Sequence, residues 1–304
     1  MEIKMTKHKM TKRQKREAMT GYLFIAPSFL GFIALSLFPL VMTVILSFSE
    51  WNLVSGIEGI EFIGLENFKR LFSDVTFWAS LKNNLLFALW SMPALLILGF
   101  IAAYMMHQLK HTGGAFKIIY FLPYISSSIA VATVWRVIFQ PSYGPINNML
   151  MSLGVENPPR WLSSPDWALF VITLMFIWQQ LGYYILIFAT ALTSVPKDLY
   201  EAAEMDGANT LQKIFHVTLP MITPTTFFLS ITGIIASFKV FDAIQVLTEG
   251  GPGNSTSVLV YYMYKTSFEQ YHFGYGAAIS MFLFLVVFVI TAVQWKGQKS
   301  WVNY

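Results

Sequence analysis

Six long apolar stretches dominate this sequence of 304 residues and limit what it can fold into. They lie at about 21–48, 84–106, 118–139, 167–192, 217–243 and 274–295. Each holds the roughly 20 residues that a helix needs to cross a hydrocarbon core of about 30 Å. They are too long, and alternate too little, for strands of a membrane β-barrel. The pattern predicts an all-α integral membrane protein with six transmembrane helices.

Basic residues cluster ahead of the first stretch, with seven Lys and Arg in residues 1–20. The apolar run that follows continues to about residue 48, which is longer than the core of a secretory signal, so we expect a retained anchor. With the N-terminus inside, thirteen of the eighteen Lys and Arg outside the spans face the cytoplasm, as the positive-inside rule requires. Six spans then place both termini in the cytoplasm.

The sequence contains no set of residues typical of a catalytic site. Its five His residues are scattered, Cys is absent, and no glycine-rich loop ends in Gly-Lys-Ser or Gly-Lys-Thr to hold a phosphate. A nucleic-acid-binding protein would spread its basic residues over a face rather than gather them in a tail. We therefore expect a chain that is not an enzyme and holds no metal, cofactor or nucleic acid.

The loop 194–216, between the fourth and fifth stretches, is the most informative segment. Pro196 suits the first position of a helix, and Gly207 suits the residue beyond its end. Asn209 and Gln212 have the spacing of a capping box, which predicts a second short helix. A loop lying on lipid is the alternative, but its acidic residues would be repelled by an anionic inner leaflet. Contact with a protein partner is therefore favoured.

Three motifs here, Glu201-Ala202-Ala203, Asp206-Gly207-Ala208 and Leu219-Pro220, resemble the EAA loop of binding-protein-dependent ABC importer permeases. Further segments resemble the carbohydrate-uptake branch of that family, which is related to the maltose permease subunits. They are 64–68, 121–123, 247–252 and 273–278. The resemblance spans about residues 21 to 295, without a large outer domain between the early helices. It implies the type I ABC importer permease fold in a compact form.

On this basis the chain divides into four parts. Residues 1–20 form a basic cytoplasmic tail, and residues 21–80 form the first transmembrane helix and an outer loop. Residues 81–295 form an ABC transporter type-1 transmembrane domain, whose five-helix core contains the coupling loop 194–216. Residues 296–304 form a cytoplasmic C-terminal tail.

The resemblance also implies a function and partners. It implies a permease subunit of an ATP-driven importer of mono- or oligosaccharides, in the plasma membrane of a bacterium or archaeon. A homologous second permease would complete the pathway through the bilayer, and an extracellular solute-binding protein would deliver the sugar. Two ATPase subunits would bind the ATP and Mg²⁺, with no cofactor in this chain. The residues implied to contact the ATPase are Glu201, Ala202, Ala203, Asp206 and Gly207.

Polar side chains inside the apolar stretches are candidates for the substrate pathway, because they are costly to place in a membrane. Gln179, Gln180 and Tyr183 share one face of the fourth predicted helix, and Ser237 lies on the fifth. The resemblance places Tyr183 at an aromatic position of the sugar pocket. Helix packing is the alternative role for the two glutamines.

Two further features have ordinary structural interpretations. Lys239 and Asp242 are three residues apart near the end of the fifth stretch, which predicts a local ion pair. The Gly- and Pro-rich segment 250–255 predicts a chain reversal, and the resemblance places it on the face that receives the binding protein.

Two other functions remain open from the sequence. A permease of the same kind for a glycerol phosphoester or a polyol is one, although a phosphoester would favour a more basic pocket than Lys239 alone provides. An ion-coupled secondary transporter is the other, but that mechanism requires carboxylates in mid-membrane, and Asp242 alone, near an outer end of its span, is a poor relay.

The topology is testable because the chain has no native Cys. A cysteine introduced as Ser300→Cys is expected to resist membrane-impermeant maleimide in sealed cells and to react after the membrane is opened. Labelling in sealed cells would contradict a cytoplasmic C-terminus.

Overall fold

The structure, a computed structural model, describes residues 11–52, 55–108 and 114–302. Residues 1–10 of the basic tail, including Lys4, Lys7 and Lys9, lie outside the described residues, as does Lys110. The helices are α1 Lys12–Phe32, α2 Phe38–Ser47, α3 Glu66–Ser73, α4 Val75–Gln108, α5 Gly114–Ile125, α6 Ser128–Ile138, α7 Pro145–Ser152, α8 Ala168–Thr193, α9 Lys197–Met205, α10 Thr210–Lys213, α11 Leu219–Met221, α12 Thr223–Phe238, α13 Asp242–Leu247, α14 Leu259–Tyr264 and α15 Phe273–Gly297. Two short strands, β1 Ser49–Glu50 and β2 Glu61–Phe62, pair antiparallel.

Five helical segments in the described residues are long and apolar enough to cross a membrane, or six when one bent pair counts as a single span. The first runs from α1 through a π-helical turn, Ile33–Leu37, into α2 without leaving helical geometry. No residue is buried in the most apolar window of this segment, whereas α2 packs on α15 farther along. The all-α membrane fold expected from the apolar stretches is confirmed.

The third stretch is not the straight helix predicted for 118–139. Its two helices, α5 and α6, meet at an angle of 99°. Pro123 contributes no backbone N–H in the last turn of α5, and Ser127 adopts an extended backbone with ψ 125°. The chain therefore leaves the first helix at Ser126 and starts a second one in a new direction.

The fifth stretch, predicted as one helix over 217–243, is also interrupted. The helix proper starts only at Thr223, because Ile222 leaves helical geometry and Pro224 suits the first turn of a new helix. It ends at Phe238, and α13 begins at Asp242 after a non-helical turn. The structure thus contains two broken helices where the apolar pattern indicated two continuous ones.

The centre of the bundle is the packing of α4 against α8. Tyr184 on α8 is only 2% exposed, and its hydroxyl donates to the Leu229 carbonyl oxygen of α12 at 3.3 Å. On another side of α8, a Cβ atom at Gly182 would overlap the Tyr120 carbonyl oxygen of α5. The absence of a side chain at Gly182 therefore lets α5 approach α8 closely.

A carboxylate joins three helices at the end of the bundle away from the coupling loop. Asp74 accepts hydrogen bonds from the Tyr262 hydroxyl and, at 2.6 Å, from the Tyr275 hydroxyl. Its other oxygen caps α4 by accepting from the backbone amides of Thr76 and Phe77. Burial raises the pKa of Asp74, but these hydrogen bonds outweigh burial and hold it below its ordinary value.

The same end of α4 holds the segment 254–259 in place. The Ser80 hydroxyl lies 2.8 Å from that of Ser257, and the Asn83 side-chain amide donates to the Asn254 and Ser257 carbonyl oxygens at 2.9 and 2.8 Å. The Asn84 side chain accepts from the Leu259 amide at 2.8 Å. Three polar side chains within about one turn of α4 therefore fix this loop.

We expect Asp74→Ala to lower the free energy of unfolding by about 2–4 kcal/mol, because it removes a helix cap and leaves two phenols without their acceptor. A fall in the melting temperature of the purified chain would show this. The pKa of Asp74 is lower in the folded chain, so its contribution is present above about pH 4 and lost as the pH falls through the folded value. The exposed Asp166 provides a control, since Asp166→Ala is expected to change the melting temperature little; equal effects would contradict the assigned role.

Candidate functional site

The coupling loop folds as two short helices joined by a glycine turn. Helix α9 begins at Lys197, so Pro196 occupies the N-cap position, one residue earlier than predicted. Gly207 has a φ of +78°. The Ala208 amide donates to the Ala203 carbonyl at 2.9 Å and the Gly207 amide to the Glu204 carbonyl at 3.0 Å, which is a Schellman motif. The predicted helix exit at Gly207 is confirmed.

Side chains close the two short helices onto each other. The predicted capping box is present, with Asn209 and Gln212 each accepting from the other's backbone amide at 2.9 and 2.7 Å. Lys213 Nζ lies 2.7 Å from Glu204 Oε1, and the Tyr200 hydroxyl lies 2.9 Å from that of Thr218. These contacts make the loop a defined unit rather than a loose connection.

The outer surface of this unit is suited to a protein partner. Of the predicted residues, Glu201, Ala202, Asp206 and Gly207 are exposed, and Ala203 is half-buried. Three large apolar side chains stand out beside them: Met205 is 89% exposed, Leu211 65% and Phe215 61%. Sequence reasoning missed these three, although large apolar residues in an otherwise polar loop are a usable signal. Exposed apolar side chains of this kind are common at interaction sites.

A polar cavity of about 380 Å³ lies where the two broken helices face α8. The break between α5 and α6 forms one side, and the break between α12 and α13 forms another. We call it the polar cavity throughout. The polar residues that line it are Tyr124, Ser126, Ser128, Gln179, Gln180, Lys239 and Asp242.

The structure brings together only part of the predicted substrate pathway. Gln179 and Gln180 both line the polar cavity, and the Gln179 amide donates to the Ser126 carbonyl at 3.3 Å. Tyr183 is not among the lining residues. Its ring stacks on that of Tyr124, with the ring centroids 5.0 Å apart and an angle of 18° between the ring planes. Ser237 is fully buried, and its hydroxyl donates to the Ile234 carbonyl at 2.8 Å within α12.

Five lining residues were not predicted as pathway residues: Tyr124, Ser126, Ser128, Lys239 and Asp242. The segment 124–128, a tyrosine and three serines around one isoleucine directly after Phe121-Leu122-Pro123, was the available signal for the first three. The predicted ion pair between Lys239 and Asp242 is wrong. Ion pairs in the described residues join Arg13 to Glu17, Lys69 to Glu66 and Lys213 to Glu204.

A second cavity, of about 750 Å³, lies beside the far ends of α6 and α13. Arg136 and Glu249 line it together with Gly251 and Pro252 of the turn-rich segment. That segment is well supported, since the Tyr261 hydroxyl donates to the Glu249 carbonyl at 2.8 Å. In the described part of the chain, no cluster of three or more acidic or His side chains could hold a metal ion.

Interrupted membrane helices around a polar cavity, linked to a structured loop with exposed apolar side chains, are features of a transport permease. Comparison with known proteins agrees. The family model described as "binding-protein-dependent transport system inner membrane component" matches residues 95–295, and this chain belongs to that family. The chain is therefore a multi-pass membrane component of an ABC transport system.

Three relatives illustrate the similarity. A probable ABC transporter permease protein of Pyrococcus horikoshii is 35% identical, covering 91% of this chain and 96% of the relative. The arabinooligosaccharides transport system permease protein AraP of Bacillus subtilis is 34% identical, covering 92% and 88%. The lactose transport system permease protein LacF of Rhizobium radiobacter is 31% identical, covering 93% and 95%.

A solved structure has the same architecture. A chain of a bacterial alginate ABC transporter, in complex with an alginate pentasaccharide-bound periplasmic protein, aligns with a TM-score of 0.80 at 25% identity. The alignment covers 93% of this chain and 94% of that one. The expected type I ABC importer permease fold is confirmed.

The geometry of the polar cavity can be tested with single cysteines in this Cys-free chain. We expect Gln180→Cys, which lines the cavity, to react with a charged methanethiosulfonate at least about 10-fold faster than Ser237→Cys, because a buried thiol does not ionise readily. Rates are measured on the purified chain in detergent. Equal rates would show that the cavity does not admit water at Gln180.

Proposed function

We propose that this chain is the permease subunit of an ATP-driven, binding-protein-dependent importer of mono- or oligosaccharides. The polar cavity carries the proposal, because it presents hydroxyls, amides and a tyrosine ring at the sharp bend between α5 and α6 and at the non-helical turn between α12 and α13. Discontinuous helices also surround the substrate sites of other transporters. Where such a helix is interrupted, backbone amides and carbonyls without helical partners are available to bind a polar substrate. The names of relatives for arabinooligosaccharides and lactose support a sugar as the solute.

In this proposal the lining residues replace the hydrogen bonds that a sugar leaves behind in water. Gln179 and Gln180 offer amides to sugar hydroxyls, and the ring of Tyr124 offers an apolar face. Tyr183 acts by stacking on Tyr124 and fixing the plane of that ring. Ser237 contributes by holding the last turn of α12 beside the break.

The coupling loop is proposed to receive an ATPase subunit through Glu201, Ala202, Ala203, Asp206 and Gly207, with the exposed apolar side chains as anchors. Helix α8 ends at Thr193, four residues before α9 begins, and the other end of the loop leads through α11 into α12. Both α8 and α12 line the polar cavity. A displacement of the loop is therefore transmitted to the cavity through two helices.

The remaining partners follow from the same proposal. A homologous second permease completes the pathway, an extracellular solute-binding protein delivers the sugar, and two ATPase subunits bind ATP and Mg²⁺. This chain itself hydrolyses no ATP. Its contribution is the route through the bilayer and the surface that couples that route to hydrolysis.

The proposal is tested by reconstituting the chain with its permease, ATPase and binding-protein partners in proteoliposomes. Labelled sugar is expected to accumulate on the side of the membrane that carries the ATPase subunits. Accumulation is expected only when ATP is present on that side and the binding protein is present on the opposite side. Gly207→Val is expected to weaken ATPase association about 5- to 30-fold, because a branched residue at φ +78° costs roughly 1–2 kcal/mol. Uptake falls with it, while the amount of the chain in the membrane is unchanged.

Gly297→Val is the matched control, because Gly297 has ordinary helical geometry and no neighbouring atom within 4 Å of an added Cβ. It is expected to transport as the unaltered chain does. Full uptake by Gly207→Val would show that the loop does not dock the ATPase. Robust ATP hydrolysis by the purified chain without ATPase subunits would contradict the proposal that only the ATPase subunits hydrolyse ATP.

A further inference from the structure

Two side chains of opposite charge line the polar cavity without pairing. Lys239 and Asp242 stand on either side of the break between α12 and α13. Their side chains have no hydrogen-bond or ion-pair partner within the described part of the chain. Both side chains are exposed rather than buried, so either charge can meet a solute that enters the cavity.

The two residues belong to different helical segments. Lys239 is the residue after the last turn of α12, and Asp242 is the first residue of α13. Their side chains line one cavity but form no ion pair with each other. The polar residues around them, Gln179, Gln180 and Tyr124, are uncharged.

The polar cavity therefore has two charged poles and no net charge. A sugar hydroxyl both donates and accepts hydrogen bonds, so one neutral sugar can satisfy both poles together. A uronate or a phosphoester can be attracted by Lys239 only while its negative charge lies near Asp242. The repulsion from Asp242 offsets the attraction to Lys239. The acidic ligand also gives up the water bound to its charge, which lowers its affinity further.

We propose that Lys239 and Asp242 are specificity-determining residues and that the transported solute is a neutral sugar. Asp242 accepts hydrogen bonds from sugar hydroxyls, and Lys239 donates to others. This inference rests on the proposed function. It addresses whether the transported sugar is neutral or acidic, which the fold alone does not determine. Proteins with this fold include a transporter that imports the acidic polysaccharide alginate as well as relatives named for lactose and arabinooligosaccharides.

The test measures sugar affinity at the permease itself, without the selectivity of the binding protein. The assembled transporter, with both permeases and the ATPase subunits, is placed in nanodiscs. Equilibrium binding is measured for lactose, arabinotriose and maltotriose, and for the acidic sugars lactobionate and trigalacturonate. We expect at least one neutral sugar to bind about 10-fold or more tightly than either acidic sugar.

Charge variants then locate the selectivity. Asp242→Asn leaves a cavity with one positive charge, and the preference for neutral over acidic sugars is expected to shrink by about 5-fold, because the exposed charges act through water. Lys239→Gln is expected to widen that preference, because the remaining charge repels the acid. Asp242→Glu keeps the carboxylate and is expected to keep the preference.

Glu249→Gln is the matched control, since it removes a carboxylate that lines the neighbouring, larger cavity. It is expected to leave the ratio of affinities unchanged. Equal or tighter binding of an acidic sugar by the unaltered transporter would overturn this inference and leave the proposed function standing, as would an unchanged ratio in an assembled Asp242→Asn complex. Binding of none of the five sugars by a complex that still hydrolyses ATP would overturn the proposed function and this inference with it.

Discussion

Hydrocarbon offers no hydrogen bonds, so every backbone amide and carbonyl in a membrane span must find a partner within the protein. The rest of this structure depends on that constraint. It makes the long apolar stretches helical, and it makes the two interruptions, at Ser126–Ser127 and between Phe238 and Asp242, the exceptional points. Exposed backbone at membrane depth is tolerated beside a polar cavity, and the polar cavity is where both interruptions meet.

Both ends of the bundle hold segments of defined shape. At one end a Schellman turn at Gly207 and a capping box at Asn209 give the coupling loop a defined shape. At the other, Asp74 and the polar side chains of α4 fix the loops beside α14 and α15. Helices α8 and α12 connect the two ends and also form walls of the polar cavity.

Local signals were enough for the elements whose stability is local. The length of the apolar stretches predicted membrane helices, and the Gly207, Asn209 and Gln212 pattern predicted the shape of the coupling loop, because caps and turns involve neighbours only a few residues apart. The EAA resemblance, now supported by the family match, identified the class of protein. The same reasoning placed Pro196 one residue too far into the helix, since caps differ from first helical positions by a single residue.

What the sequence by itself determined is therefore the membrane-helical class, the family and the local geometry of the coupling loop. Only the tertiary structure decided where the third and fifth spans break, and which side chains share the cavity. It separated Gln179 and Gln180, which line the polar cavity, from Ser237, which is buried within α12. It also kept Lys239 and Asp242 apart. These outcomes depend on contacts between helices far apart in the chain, and hydropathy along one helix carries no information about which neighbour it faces.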